Sequence, residues 1–290
     1  MKSMGVIKLM LIATFIVLSP VNILAGTAEK KVGILLVSFG SSESSAQAAY
    51  KNITRKVVRS FPDCPVRWAY TSSIIRKKMA KQGTNLASPE MALAEMIDEG
   101  FSHVAVQSLH IIRGAEFDDL LRTVEAFRMM KGFDRIILGN PLLTSQSDME
   151  RAVAAIIDEI PPERKAEDAV LLMGHGSRHP SNAFYAALMF QLQLKDPNIF
   201  IGTVDGYPDI GLIRKLLLEK NIKKAYLLPL MSVSGNHAKK DMAGNDDDSW
   251  KTILTKSGIQ CIPVLKGLAE YDAFVDIWID HLEKCMRHLY

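Results

Sequence analysis

The feature that most constrains the fold is an apolar run, Ala169 to Met173, that stops at the tripeptide Gly-His-Gly centred on His175. An apolar run of this length, bounded by glycine, is typical of a buried strand in a parallel sheet. A Pro-Ser-Asn break follows, and a helical pattern begins after it. His175 is therefore predicted at the carboxyl end of a strand, where open α/β sheets bind their ligands. The flanking glycines let the backbone turn tightly and let a bulky ligand approach closely.

Strand-like runs alternate with helical patterns along the rest of the chain. The predicted strands cover 32–39, 65–71, 103–109 and 135–138 in the first half, and 169–173, 199–204, 224–230 and 260–264 in the second. Such alternation is typical of βαβ units and parallel sheets. We predict an α/β protein of two similar lobes, each a parallel sheet flanked by helices, with a cleft between them. The N-terminal lobe is placed at 29–145 and the C-terminal lobe at 146–290.

The two halves of the chain also echo each other in sequence. The segment VSFGSS aligns with MGHGSR, so that Phe39 lies opposite His175. In the same register Glu116 lies opposite His237, which belongs to a polar segment, 231–248, predicted as a loop or a broken helix. A duplication would produce this echo, and so would the shared demands of βαβ units. Either origin predicts two lobes that face each other.

The first 28 residues differ from the rest of the chain. Two lysines precede an apolar run from Leu9 to Leu18, and small residues follow. This order is that of a secretory signal peptide, and the run is shorter than the roughly 20 apolar residues that span a bilayer. We predict a signal peptide at 1–28, cleaved after Ala25 or Ala28, and a periplasmic mature protein. An uncleaved membrane anchor is the alternative.

The charge balance gives no support to a nucleic-acid-binding role. Removal of Lys2 and Lys8 with the signal peptide lowers the formal net charge from +3 to +1, and no long basic stripe of the kind that binds nucleic acid occurs. The chain has 3 cysteines, an odd number for an exported protein whose disulfides need pairs. Cys64, Cys261 and Cys285 are interpreted mainly as buried thiols, with a Cys261–Cys285 bridge as the alternative.

Three side chains with metal-binding chemistry follow strands of the second half: His175, Asp205 and His237. They are 30 and 32 residues apart (205 − 175 and 237 − 205), about one βαβ unit each. Because units of this length bring successive strand ends to one rim of the sheet, the three side chains are expected to converge on the cleft. Two imidazoles and a carboxylate suit a divalent first-row metal. Three protein ligands also leave coordination positions open, as catalytic metal sites require.

Six segments of the chain together resemble the anaerobic cobalt chelatases of the CbiK type. They are VSFGSS at 37–42, AYTSSIIRKKMA at 69–80, VQSLHIIRGAEFDDL at 106–120, MGHGSRHPSNAFY at 173–185, VDGYP at 204–208 and PLMSVSGNHAKKDMAG at 229–244. The resemblance implies a bilobal chelatase fold and ATP-independent insertion of Co²⁺ into sirohydrochlorin, a tetrapyrrole of the anaerobic corrin (cobalamin) pathway. The signal peptide matches the periplasmic branch of that family.

The resemblance also implies roles for single residues. His175 and His237 match the two metal-binding histidines of the family and are the predicted catalytic residues, since a neutral imidazole can bind a metal or accept a proton near neutral pH. Asp205 stands where the family usually has Glu, so the predicted third metal ligand is one methylene shorter. His110 matches a position that faces the cleft.

Sirohydrochlorin carries eight carboxylates, so its site should offer cations and hydroxyls. Arginine in particular binds carboxylates bidentately. The predicted substrate-binding residues are Ser41, Ser42, His110, Arg113 and Arg178. The run Arg76, Lys77 and Lys78 is either a further contributor or a solvated helix face.

Other functions are compatible with the same residues. Fe²⁺ is a second candidate metal, and a ferrochelatase acting on sirohydrochlorin or a porphyrin is the rival within the class. A periplasmic component that carries metal or tetrapyrrole for a metal or haem uptake system would use the same cleft and histidines. Haem could bind an exposed histidine axially, with no single histidine favoured, and a homo-oligomer is compatible with the sequence.

Overall fold

A computed structural model describes residues 30–290, so the predicted signal peptide lies outside the described residues. The strands are β1 (Val32–Ser38), β2 (Val66–Tyr70), β3 (His103–Ser108), β4 (Arg135–Gly139), β5 (Ala169–Gly174), β6 (Ile199–Thr203), β7 (Lys224–Leu230) and β8 (Gln260–Pro263). They form two parallel sheets of four strands, in the orders β2-β1-β3-β4 and β6-β5-β7-β8. The predicted α/β fold with two similar parallel sheets is confirmed, and the two sheets share one strand order.

Helices connect most of the strands. They are α1 (Ala46–Ser60), α2 (Ser73–Lys81), α3 (Pro89–Asp98), α4 (Ala115–Met129), α5 (Gln146–Asp158), α6 (Ala183–Gln193), α7 (Ile210–Glu219), α8 (Trp250–Lys256) and α9 (Asp272–Leu289). Several begin at a capping side chain, for example Ser72, Ser88 or Asp209. These caps accept hydrogen bonds from amides that the first turn leaves without partners. None of the helices among residues 30–290 is long and apolar enough to cross a membrane.

Alternate residues of the central strands face different cores. Leu36 of β1 and Leu172 of β5 belong to one buried cluster, which contains side chains from both sheets and from α1, α5, α6 and α9. Their neighbours Leu35 and Leu171 point the opposite way, into separate clusters under the outer helices. This is the period-two alternation of strands that are buried on both faces. Because the shared cluster is continuous, the two lobes are packed firmly against each other.

The terminal helix crosses from the second lobe to the first. α9 packs against β3 and β4 of the N-terminal sheet and also against α1 and α5. Its Trp278 is buried in the cluster that both sheets share. By sequence α9 lies in the range 146–290, yet it covers one face of the N-terminal sheet. The lobe boundary at 145 stays a prediction, and α9 is one of the elements that join the lobes.

The segment 231–248 contains a short π-helical turn at His237–Met242. Ala238 and Met242 of this turn are buried in the outer core of the second lobe. Their burial leaves the intervening polar residues facing away from the core. A π-turn is uncommon and frequently marks a functional site, and this one begins at a predicted metal ligand.

The three cysteines are free thiols, so the structure does not contain the alternative Cys261–Cys285 bridge. Cys285 is buried, and Cys64 and Cys261 are partly buried. Burial raises the pKa of Cys261 and of Cys285 to about 11. Both thiols are therefore protonated and unreactive at neutral pH.

A buried pair of side chains ties α9 to α5. His281 of α9 lies with Nε2 3.1 Å from Oδ1 of Asp148 and with Nδ1 3.2 Å from the carbonyl oxygen of Asn140. Both partners are acceptors, so the ring donates a hydrogen bond to at least one of them. Burial raises the pKa of Asp148, but hydrogen bonds from Thr144 and Ser145 and the charge of His281 together bring that pKa below its usual value.

Asp148→Asn should lower the free energy of unfolding by about 3 kcal/mol at pH 7, because the buried carboxylate of Asp148 takes part in hydrogen bonds with Thr144, Ser145 and His281 and an amide cannot replace all of them. The pKa of Asp148 is lower in the folded chain than in the unfolded chain. Its contribution is therefore complete above about pH 4 and is lost as the pH falls through the folded pKa. Urea denaturation at several pH values measures the difference. Asp158→Asn, at an exposed position of the same helix, is the control, and equal stability of the two variants at pH 7 would contradict this role of Asp148.

Candidate metal centre

His175 lies in a loop that requires glycine on both sides. A Cβ atom at Gly174 would lie 2.6 Å from the ring of Tyr185, and one at Gly176 would lie 2.7 Å from Cβ of Thr203. Gly176 also has a φ of +80°, a conformation that glycine adopts without strain. Burial raises the pKa of Tyr185 to about 12, so its phenol stays protonated beneath the loop. The loop is packed tightly between α6 and the end of β6, and this packing determines the position of the imidazole of His175.

The loop that carries Asp205 is fastened to the same backbone. The amides of Val204 and Asp205 donate to the carbonyl oxygen of His175 at 3.1 and 2.8 Å. The amide and the hydroxyl of Thr203 both donate to the carbonyl oxygen of Pro208 and close the turn. As a result Oδ2 of Asp205 lies 3.9 Å from Nε2 of His175.

Both imidazoles leave Nε2 with a lone pair. Nδ1 of His237 is hydrogen-bonded to the carboxylate of Asp241, four residues further along the π-turn. Nδ1 of His175 lies 3.2 Å from the carbonyl oxygen of Gly176. A carboxylate and a carbonyl can only accept, so in each ring the tautomer assigned from these partners carries its proton on Nδ1. A carboxylate behind a histidine is the usual support for a metal-binding imidazole.

The rings of His175 and His237 contact each other at the carboxyl ends of the strands of the second sheet. Their centroids are 4.8 Å apart and their planes are nearly perpendicular, at 88°. The side chains of His175, His237 and Asp205 are 38%, 34% and 65% exposed, so a ligand can reach all three. Within residues 30–290 no group of three or more His, Cys, Asp or Glu side chains is arranged to hold a metal ion. The structure therefore brings the two predicted histidines together as a pair, with Asp205 beside His175.

The N-terminal lobe reaches over this histidine pair. The ring of Phe39 lies 5.8 Å from that of His175, and the two residues occupy aligned positions of the two halves. Nζ of Lys239, on the π-turn, lies 2.7 Å from Oε2 of Glu43 in the loop after β1. The hydrogen bond from Lys239 lowers the pKa of Glu43 in spite of partial burial, so this carboxylate is ionised. Ser41, also in the loop after β1, has its Oγ so close to Gly235 that a Cβ there would be 3.1 Å away.

His110 is neutral, and only one of its two ring nitrogens has a hydrogen-bond partner. Its Nδ1 lies 2.8 Å from the hydroxyl of Ser108. Its Nε2 is shielded from solvent and has no hydrogen-bond partner among the described residues. Burial lowers the pKa of His110 to about 4. The ring can therefore offer a substrate one hydrogen-bonding nitrogen, but it brings no charge to a carboxylate at neutral pH.

The other predicted substrate-binding residues divide into buried hydroxyls and exposed arginines. The hydroxyl of Ser42 is buried and has no partner within the described structure. Arg113 is exposed, with Nε 3.4 Å from Asp118 and its guanidinium over the ring of Phe117. Arg178 is exposed in the loop that follows His175. Both guanidinium groups are exposed, so a carboxylate that arrives from solvent can reach them.

Three residues of this site were missed in the sequence: Asp241, Glu43 and Lys239. Asp241 follows His237 by four residues, a spacing that places two side chains on one face of a helical turn. That spacing was readable, but the segment was predicted as a loop or a broken helix. The Glu43–Lys239 pair joins residues 196 positions apart, and no local pattern indicates such a contact.

The match to known families extends over nearly the whole described chain. Residues 32–287 match the family model described as cobalt chelatase (CbiK). The chain belongs to the cobalt chelatase (CbiK) family. The matched range contains both sheets, the histidine pair and Asp205, so the family assigned from the six sequence segments is confirmed.

Two curated members of the cobalt chelatase family align with the chain over most of their length. The sirohydrochlorin cobaltochelatase CbiKC of Nitratidesulfovibrio vulgaris is 46% identical over 259 residues, which cover 89% of this chain and 92% of the relative. The sirohydrochlorin cobaltochelatase of Salmonella typhimurium is 36% identical over 261 residues, which cover 89% of this chain and 97% of the relative.

Solved structures of chelatases share the fold. SirB from Bacillus subtilis with Fe³⁺ superposes with a TM-score of 0.59 at 15% identity, over 89% of this chain and 98% of that one. CbiX, described as the terminal enzyme for biosynthesis of siroheme in denitrifying bacteria, superposes with a TM-score of 0.54 at 18% identity, over 89% and 99%. At these identities the likeness concerns the fold alone, and it agrees with the predicted bilobal chelatase architecture.

Gly176→Ala should destabilise the chain more than Gly258→Ala. The two glycines have φ of +80° and +82°, but a Cβ at Gly258 would meet nothing within 4 Å, whereas one at Gly176 would also lie 2.8 Å from the amide nitrogen of Gly206. We expect a loss of about 1 kcal/mol at Gly258 from backbone strain alone. At Gly176 we expect about 3 kcal/mol, because overpacking adds to that strain. Urea denaturation measures both losses, and equal values would show that the His175 loop is not tightly packed against its neighbours.

Proposed function

We propose that the chain inserts Co²⁺ into sirohydrochlorin without ATP. Membership of the cobalt chelatase family supports the reaction class, and the names of the two curated relatives support the substrate. The observation that carries the proposal is the histidine pair. Two imidazoles with unprotonated Nε2 atoms, 4.8 Å apart between ring centroids, stand at one rim of the second sheet. This is a donor set that takes up a divalent first-row ion and can also receive protons.

In this mechanism His175 and His237 hold the arriving Co²⁺ through Nε2, and Asp205 supplies an oxygen from the side of His175. Imidazole nitrogen suits Co²⁺, and the carboxylate adds charge attraction. The short side chain of Asp205 lies 3.9 Å from Nε2 of His175. An ion between them can therefore be reached by a small rotation of the exposed carboxylate, either directly or through one water.

Insertion also requires that two pyrrole N–H protons leave the macrocycle as the metal enters. We assign His175 as the nearest acceptor, with His237 as the second. An imidazole that releases the metal to the macrocycle regains its Nε2 lone pair and can take up one of those protons. Asp241 stabilises the imidazolium form of His237 through Nδ1. Both rings are partly exposed, so the protons pass on to solvent.

The carboxylates of sirohydrochlorin would be bound around this centre by groups with unused hydrogen-bonding capacity. The buried hydroxyl of Ser42 and Nε2 of His110 have no partner among the described residues. Arg113 and Arg178 are exposed at the opposite loops and can pair with carboxylates bidentately. Ser41 already accepts a hydrogen bond from the amide of Glu43 at 3.1 Å and retains its donor for the substrate.

We further propose that the mature chain acts in the periplasm after removal of residues 1–28. The same nitrogen and oxygen donors also accept Fe²⁺, which lies just below Co²⁺ in the affinity order of divalent metals. Fe²⁺ is therefore a second substrate metal to be tested on sirohydrochlorin and on a porphyrin. A carrier of metal or tetrapyrrole for an uptake system would bind one equivalent without turnover, and turnover separates the two functions.

His175→Ala and His237→Ala should each reduce cobalt insertion by 10²-fold or more, the loss expected when a positioned proton acceptor is removed. The measurement is the shift of the Soret band when the mature chain, sirohydrochlorin and Co²⁺ are mixed without oxygen. His288→Ala, at an exposed position of α9, is the matched control. Unchanged rates in both variants, with circular dichroism showing intact folding, would remove the proposal. Stoichiometric binding without turnover in the unaltered chain would favour the carrier.

Asp241→Asn should weaken the binding of Co²⁺ and leave the folding of the chain unchanged. Loss of a carboxylate behind a metal-binding imidazole typically costs 10- to 100-fold in metal affinity. We expect the Co²⁺ concentration for half-maximal rate to rise by that factor, with a smaller change in the maximal rate. Asp246→Asn changes the charge equally at an exposed position of the same segment. Identical Co²⁺ dependence in the two variants would show that Asp241 does not position His237.

A further inference from the structure

A groove outside the histidine cleft runs between α1 and the edge strand β2. It has a volume of about 620 Å³, within the range of small-molecule sites. Tyr50, Trp68 and Tyr70 form its floor, and Lys51, Arg55 and Arg59 stand along its rim. We name it the α1 groove. None of these residues belongs to the histidine pair or to the predicted substrate-binding set.

The floor of the α1 groove is aromatic. The rings of Trp68 and Tyr70 are nearly parallel, at 12°, with centroids 6.1 Å apart. Tyr50 packs edge-on against both rings, at 71° and 77°. The indole nitrogen of Trp68 donates to the hydroxyl of Thr54 at 3.2 Å, which holds the ring in place. Trp68 and Tyr70 are only partly buried and line the groove, so both rings present apolar surface to a ligand that enters it.

The rim of the α1 groove is a row of cations without acidic partners. Lys51, Arg55 and Arg59 follow each other at intervals of four residues on α1, all three exposed. Like charges at this spacing destabilise a helix, and the sequence of α1 contains no Asp or Glu to offset them. Within residues 30–290 none of the three forms a salt bridge, whereas their neighbour Lys56 pairs with Asp272 and Asp276.

Two carboxylates near this row are already engaged. Glu270, which lines a neighbouring pocket with Lys51 and Arg55, accepts a hydrogen bond from the amide of Gly267 at 2.8 Å. Asp272 accepts a hydrogen bond from Asn52 at 3.1 Å and lies 3.5 Å from Lys56. Arg55 acts on it only as a more distant charge. The positive charge along the rim is therefore left for a ligand, and guanidinium groups bind carboxylates in a bidentate manner.

We propose that the α1 groove binds an aromatic polycarboxylate, which packs against the rings of Trp68 and Tyr70 and pairs its carboxylates with Lys51, Arg55 and Arg59. The proposal goes beyond the metal-insertion function and does not depend on it. Two sources share this chemistry: a tetrapyrrole of the class that the cleft acts on, and a smaller aromatic acid. The open shape of the groove accommodates one edge of a tetrapyrrole, with the remainder in solvent.

The test is a calorimetric titration of the mature chain with uroporphyrin, a metal-free octacarboxylate, and separately with naphthalene-2,6-dicarboxylate. Arg55→Glu/Arg59→Glu reverses two rim charges. Lys215→Glu/Lys220→Glu makes the same change in net charge at exposed positions at the end of α7. We expect a saturable binding event that weakens at least tenfold in the first variant and is unchanged in the second. Tighter binding of uroporphyrin supports a tetrapyrrole ligand, and equal or tighter binding of the naphthalene acid supports the smaller one.

Indistinguishable titrations of the Arg55→Glu/Arg59→Glu variant and the unaltered chain would overturn the proposal, as would the absence of saturable binding of either probe. Cobalt insertion is followed on the same samples and is expected to be unchanged in both double variants. If cobalt insertion is absent in all samples while binding still depends on the rim charges, the result contradicts the proposed function and supports the α1 groove proposal. If insertion proceeds and the binding ignores the rim charges, only the groove proposal falls.

Discussion

The backbone around His175 is the constraint on which the rest of the metal centre depends. Tyr185 on one side and Thr203 on the other leave room for no side chain at Gly174 or Gly176. The carbonyl oxygen of His175 accepts hydrogen bonds from the amides of Val204 and Asp205. The ring of His175 packs against the ring of His237. Three strand ends are thereby connected through one short loop, so that a shift of this loop would displace all the donors together.

The way the lobes are joined decides how a large planar substrate can enter. The core cluster runs without interruption from one sheet to the other, and α9 packs across the N-terminal sheet. Two lobes that share a core cannot swing apart as independent domains do. Access must therefore come from the loops at the strand ends. The Glu43–Lys239 pair connects two of these loops directly, and both side chains are partly exposed, so breaking this one ion pair costs little.

The apolar runs and the glycines that end them were sufficient to predict both sheets, and they placed His175 and Phe39 at strand ends. The spacing of about one βαβ unit between successive donors predicted that their strand ends share one rim, and the rings of His175 and His237 contact each other there. It could not predict the π-turn, because that conformation follows from the burial of Ala238 and Met242 rather than from a residue pattern. The spacing also could not show that α9 packs on the other lobe, because the apolar face of a helix indicates that it is buried but not against which element. The role of Asp205 depends on side-chain rotation, which neither spacing nor residue type specifies.

The proposed reaction needs a centre that holds its metal and then gives it up. Two neutral imidazoles bind a divalent ion without neutralising its charge, whereas the macrocycle offers two negative nitrogens once its protons leave. Electrostatics therefore favours transfer from the protein to the macrocycle, provided that those protons have an acceptor nearby. The Nε2 atoms that lose the metal become that acceptor. An exposed, short carboxylate at position 205 fits the same requirement, because a third anionic ligand held rigidly at close range would retain the ion.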